Sequence, residues 1–261
     1  MSAADSLAKV RAKIKRANKH IQDAKSIIEA FRNTDPYGVR VEIDLESGHK
    51  IQRVHQRAPV PEELSLVIGD AVHNLRSALD HLAWQLVEKN GNTPDRHTCF
   101  PIYDAPKVGK AAANPKIKGI NPAAATILET VQPYQAGYGN LRMLHDLDII
   151  DKHRLVLVAA IGLSSIASPV IDMQKTGGQA VTFQICSPQA FGPDSSAMLE
   201  DGTIIGAVIA GMMPEQDQKF NLSFDIAFCD PQIVKGKPVI EVLAQLAQLV
   251  DGVVSQFAAH L

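Results

Sequence analysis

Between Gly69 and Leu86 the chain reads GDAVHNLRSALDHLAWQL, and Asp70, His73, Asn74, Arg76, Ser77, Asp80 and His81 interrupt an otherwise apolar helical pattern. These side chains have useful chemistry: a guanidinium grips phosphate oxygens with two parallel hydrogen bonds, and an imidazole titrating near neutrality can take and return a proton. At about 100° per residue, Leu75, Ala78, Leu79, Leu82 and Leu86 share the back of the helix. Asp70, His73, Arg76, Ser77, Asp80 and His81 cover the front, which has no Lys or Glu but does have Trp84. Such a face reads as a site or as a buried polar network. In the network reading Arg76 and Asp80 pair at i,i+4, while the histidines satisfy contacts between packed helices.

Other chemistries are narrower. His73 and His81 lie roughly 12 Å apart along a helix at about 1.5 Å per residue, so one metal ion cannot take both. A metal would need a second helix, where LHDLDIIDKHR offers His145, Asp148 and Asp151, the first two at the i,i+3 spacing of bundle metal sites. Ser77 and His81 lack the strained Gly-x-Ser-x-Gly turn that exposes a hydrolase nucleophile. Gly137-Tyr-Gly139 and Thr176-Gly-Gly178 lack the strand-to-helix context and the lysine of a phosphate loop, so no cofactor is implied. The DKHR run, Asp151 to Arg154, is either a charged helix turn or part of a site.

Arg76-Ser-Ala-Leu-Asp-His81, an arginine, four residues and a histidine, resembles the motif of HEPN-domain proteins, helical bundles that include metal-independent ribonucleases. The resemblance implies single-stranded RNA as partner and a homodimer with paired sites. By likeness Arg76 holds the scissile phosphate and His81 acts in acid/base transfer at the 2′-oxygen, with Asp80, Ser77 and His73 in support. Ser77 departs from the Asn, Asp or His that often follows the arginine in that superfamily. The chain also resembles bacterial and phage proteins that carry both an LRSALDH-like and a DKHR-like stretch, a likeness that supplies no function. The leading expectation is therefore an RNA-binding protein or ribonuclease that needs no cofactor. A non-catalytic helical interaction module comes second, and a metal-dependent bundle enzyme third.

Composition limits these readings. A chain of 261 residues with 46% hydrophobic residues can bury a large core, and a net charge of −2 confines any nucleic-acid contact to a local patch. Three widely spaced cysteines, Cys99, Cys186 and Cys229, fit a reducing compartment. No apolar leader and no uninterrupted apolar run of about 18 residues is present, so a cytoplasmic protein without a membrane partner is expected.

The elements that must position the site follow from periodicity. Leu7, Val10, Ile14, Ala17, Ile21, Ala24, Ile28 and Phe31 alternate spacings of three and four, which predicts one helix over about 4–32 with a coiled-coil seam, and hence a homodimer. VRVEIDL and HKIQRVHQ alternate around Ser47-Gly48 and predict a β-hairpin at about 39–56. Pro59 and Pro61 open a second helix that Asn90-Gly91-Asn92 ends, and 93–122 reads as a long loop with room for a short helix. A helix follows at 122–131, and another from Asn140 to about Gly162. After Pro169, QAVTFQI, GTIIGAVIAG and KFNLSFDIAF have strand character, and 237–261 returns to helical spacing. The fold expected is α+β and mainly α, a bundle of long helices with the hairpin and a small antiparallel sheet packed on one side. It forms a single domain over 1–261, helical to about 165, β-rich over 166–235 and helical again at the end.

Overall fold

The computed structural model describes residues 3–46, 48–103, 105–106, 114–156, 158–161, 201–208, 224–230 and 232–261. In chain order the elements are α1 (Ala3–Asn33), β1 (Tyr37–Ile43), β2 (Lys50–Gln56), α2 (Glu62–Lys89), α3 (Pro122–Thr130), α4 (Asn140–Asp151), β3 (Val158–Ile161), β4 (Ile204–Val208), β5 (Asp225–Phe228) and α5 (Val239–Gln256). The fold is α+β and mainly helical, as its spacing predicts.

Two compact units divide the chain: 1–26, 62–157 and 239–261 form the first, and 27–61 with 158–238 form the second. The first is helical. Its core combines Leu64, Ile68, Leu75, Leu79 and Leu82 of α2, Leu141, Leu144 and Leu147 of α4, and Leu243, Leu246, Val250 and Val253 of α5, all fully buried. By length and composition α5 is apolar enough to cross a membrane, with a mean hydropathy of 1.2, but here its apolar stripe lies against α2 and α4. Gly91 ends α2 with a φ of +76°, a left-handed turn that glycine adopts without a Cβ penalty, and the amide of Asn92 donates back to the Val87 carbonyl.

The coiled-coil seam of α1 is consumed within the protomer. Val10, Ile14, Ala17, Ile21, Ala24, Ile28 and Phe31 are each no more than 6% exposed and Leu7 is half-buried, so most of this stripe is covered inside one chain. The helix ends where expected, with the Thr34 hydroxyl on the Phe31 carbonyl and Asp35 in a left-handed conformation before Pro36.

The second unit holds the strands. β1 and β2 form the predicted antiparallel hairpin, with Val39 opposite Val54 and Val41 opposite Gln52. The late strands depart from the expectation of one separate sheet. β4 adds antiparallel to the free side of β2, giving the order β1-β2-β4, and β5 pairs with β3. Alternation specifies which face of a strand is apolar, whereas the choice of neighbour depends on which edge is available. The strand expected at QAVTFQI, 179–185, lies outside the described residues.

A second correction concerns the helix from Asn140. It stops at Asp151 rather than near Gly162, because the Lys152 amide turns back to the Asp148 and Ile150 carbonyls. The following apolar run enters β3. A short apolar run reads equally well as a buried helix end or a buried strand, and only pairing with β5 distinguishes them.

The burial of the α1 stripe generates a test. In a coiled-coil dimer Ala17→Leu would strengthen the seam, but at a fully buried position inside the protomer it overpacks the core. The variant is expected to lose about 1–3 kcal/mol in urea denaturation, with no gain in dimer by sedimentation.

Candidate functional site

The polar residues of α2 separate into two groups, because Arg76 does not share the front face with the others. At about 100° per residue it lies only about 60° from Leu79, whereas His81 lies about 160° away. Arg76 is accordingly buried, 6% exposed, while His73 and His81 are exposed. The arginine and histidine of the Arg-x4-His motif thus point to different environments.

Arg76 and Asp80 form a clamp on the chain that follows α2. Arg76 Nη2 donates to the Phe100 carbonyl at 2.8 Å, and the Phe100 amide donates to Asp80 Oδ1 at 2.9 Å. Arg76 Nη1 lies 2.9 Å from the same Oδ1, an ion pair whose angle is not that of a hydrogen bond. Both backbone groups of Phe100 are satisfied, so its ring can be buried, where it meets Phe257 edge-on with centroids 6.4 Å apart. Further along, Gln132, fully buried, accepts from the Tyr103 amide and donates to the Pro101 and Leu128 carbonyls. An extended, apolar segment is thereby fixed with its polar backbone paired.

A second cluster joins α1, α2 and α4. Asp148, 1% exposed, is held from both sides, by His73 Nδ1 at 3.1 Å and by Lys152 Nζ at 2.5 Å. Lys152 belongs to the DKHR run, so that run contributes to the network. Asp151 lies against α2 where Gly69 leaves room, since a Cβ there would overlap its Oδ1. Burial first, and then the charges of Asp148 and Asp70, push the Asp151 carboxyl above its usual range. His20 of α1 stands 4.0 Å from Asp70.

The metal alternative does not assemble from His145, Asp148 and Asp151. Among the described residues no group of three or more His, Cys, Asp or Glu side chains is arranged to hold an ion. Both Asp148 oxygens already have partners, His73 Nδ1 and Lys152 Nζ. His145 Nδ1 is buried without a hydrogen-bond partner, and burial, then the charge of Arg76, holds its imidazole below the usual range.

The remaining front-face residues line a solvent-open pocket of about 350 Å³. Lys9 of α1, Asp80, His81, Trp84 and Gln85 of α2, and Thr98 of the clamped segment form its walls. Trp84 is 41% exposed. Burial, then the nearby charge of Lys13, lowers the His81 pKa, while Asp80 partly opposes them. Because His20 meets Asp70 and Lys9 shares a pocket with His81, α1 runs antiparallel to this stretch of α2. Ser77 is half-buried midway, and no described hydrogen bond gives it a nucleophile's base.

Sequence reasoning missed the contribution of α1. Lys9, Arg11, Lys13, Lys15, Arg16 and Lys19 are six cations with no acidic residue between Ser6 and Gln22, a local charge run visible in the sequence. Lys9 lines the pocket beside α2 and Lys13, at i,i+4 from it, places its charge near His81, which only the packing reveals. No known protein family, curated protein or solved structure matches the chain.

Two outcomes test the clamp and the cluster. Arg76→Ala strips the Phe100 carbonyl of its donor and leaves Asp80 without its ion pair, so unfolding free energy is expected to fall by roughly 2–4 kcal/mol in denaturant titration. Asp151, whose pKa is higher folded than unfolded, contributes stability at low pH that is lost as pH rises through the raised value. Asp151→Asn is therefore expected to raise Tm at pH 7, with the advantage gone below the ordinary Asp value of 3.8.

Proposed function

We propose that this chain is a helical RNA-binding module that takes a short single-stranded segment at the pocket between α1 and α2, with the Arg76–Asp80 pair serving architecture rather than phosphate cleavage. The observation that carries the reading is Trp84, the one tryptophan of the chain, 41% exposed on a pocket that Lys9 and His81 border. Single strands are held by aromatic platforms on which bases stack and by cations that follow the backbone, and both parts are present here. Lys9 in the pocket wall, and Lys13, whose charge reaches His81, give the local positive potential that a chain of net charge −2 requires for such a partner. A ribonuclease working through Arg76 and His81 would need both at one phosphate. Arg76 donates through Nη2 to the Phe100 carbonyl and is ion-paired through Nη1 with Asp80, and it is absent from the pocket wall.

Binding of a fluorescein-labelled uridine-rich 10-mer, followed by anisotropy, tests the proposal. Trp84→Ala is expected to weaken binding about tenfold or more, within the range for one stacked base. Lys13→Ala should weaken it less and reduce the salt dependence by about 0.7 in slope if it meets one phosphate. Affinity should rise as pH falls through the lowered His81 pKa, since the imidazole then gains its charge, and His81→Gln should flatten that rise. Absence of binding at low salt, or binding indifferent to Trp84, overturns the reading. Cleavage of the bound strand that survives EDTA and disappears in His81→Gln would move it to a ribonuclease.

A further inference from the structure

The pocket mixes charges in a way that bears on which base it takes. A site for phosphate alone would gain nothing from a carboxylate, and a site for a simple cation would not have Lys9 and His81 in its wall. Asp80 stands in the same wall as Trp84. Its Oδ1 is committed to the Phe100 amide and to Arg76, which fixes the carboxylate in place. Oδ2 has no hydrogen-bond partner among the described residues, and the side chain keeps 35% of its exposure. A pre-positioned acceptor oxygen beside an aromatic platform selects a ring with donors on the edge it presents.

We infer that the pocket prefers guanine, stacked on Trp84 with its Watson–Crick edge toward Asp80 Oδ2. An ionised carboxylate only accepts hydrogen bonds. Guanine presents adjacent donors, N1–H and the 2-amino group, that can converge on the one uncommitted oxygen, Oδ2. Adenine and cytosine place an acceptor nitrogen beside their amino group, so one lone pair faces another. Uracil presents a single N3–H between two carbonyls. The carboxylate therefore discriminates through both an attractive pair and a repulsive one, which is how edge readout separates bases. This inference rests on the reading of the pocket as a nucleic-acid site, and it adds the base class to that reading.

Trp84 is the only tryptophan, so its fluorescence reports the pocket directly in the full chain. Titrations with UUGUU, UUAUU, UUCUU and UUUUU RNA, and with GMP alone, are compared. UUGUU is expected to quench Trp84 and to bind about tenfold more tightly than the other three. Replacing the guanine by hypoxanthine, which lacks the 2-amino donor, should remove a large part of that preference without touching the protein. Asp80→Asn should erase it, and since this variant also alters the Phe100 clamp, the hypoxanthine comparison remains decisive if it fails to fold. Tighter binding of UUGUU than of GMP identifies RNA as the source of the base. Equal binding identifies a free guanine nucleotide, which keeps the guanine assignment and overturns the strand. Equal quenching by all four RNAs overturns the guanine preference while leaving RNA binding in place. Quenching by none of the ligands overturns both.

Discussion

The site depends on one requirement, that the backbone of Phe100 be paired when its ring is buried. An apolar ring brings its own amide and carbonyl out of water, and leaving either unpaired costs more than a typical hydrogen bond contributes. Arg76 and Asp80, one helical turn apart, answer both groups at once. The clamp explains why a strongly charged pair occupies the edge of an apolar helix face. It also brings Thr98, two residues before Phe100, into the pocket wall and holds Asp80 at a defined angle.

A second consequence is the division of labour along α2. Near its N-terminal half, His73 and Lys152 hold a buried Asp148, and His20 approaches Asp70. These contacts tie α1 and α4 to α2. Beyond Ser77 the front opens, and the charges there face solvent with Trp84. The buried charge of Asp148 in the first region is compensated by Lys152, whereas His81 and Trp84 in the second are exposed to solvent. A uniform row of polar residues therefore contains a structural half and an accessible half.

Much of this was legible in the sequence. The three-and-four spacing of α1, the alternation of β1 and β2, and the caps at Pro36 and Gly91 are local signals, and the α+β, mainly helical class follows from them. Where the signal was ambiguous, the reading failed in a specific way. VAAI, Val158–Ile161, reads as a continuation of the helix from Asn140, because a short apolar run has no period to violate, and in the structure it is a strand paired with β5. The placement of β4 on β2 depends on a pairing more than 140 residues apart in sequence, to which no local pattern refers.

For the site, the sequence by itself determined which residue types could do chemistry: a helix face with two histidines, two aspartates and one exposed aromatic, and a cation run on α1. A helical wheel also contained the fact that Arg76 lies near the apolar side, since its angle from Leu79 is a matter of counting. Only the tertiary structure decided what each residue does. Whether an arginine grips a ligand or a backbone depends on what is packed within reach of its guanidinium, and here that is Phe100, 24 residues further along the chain. Whether His81 is buried or accessible depends on how α1 is laid beside α2. Both are settled by distances across the core, which sequence spacing does not encode because the chain between two helices can close in many ways.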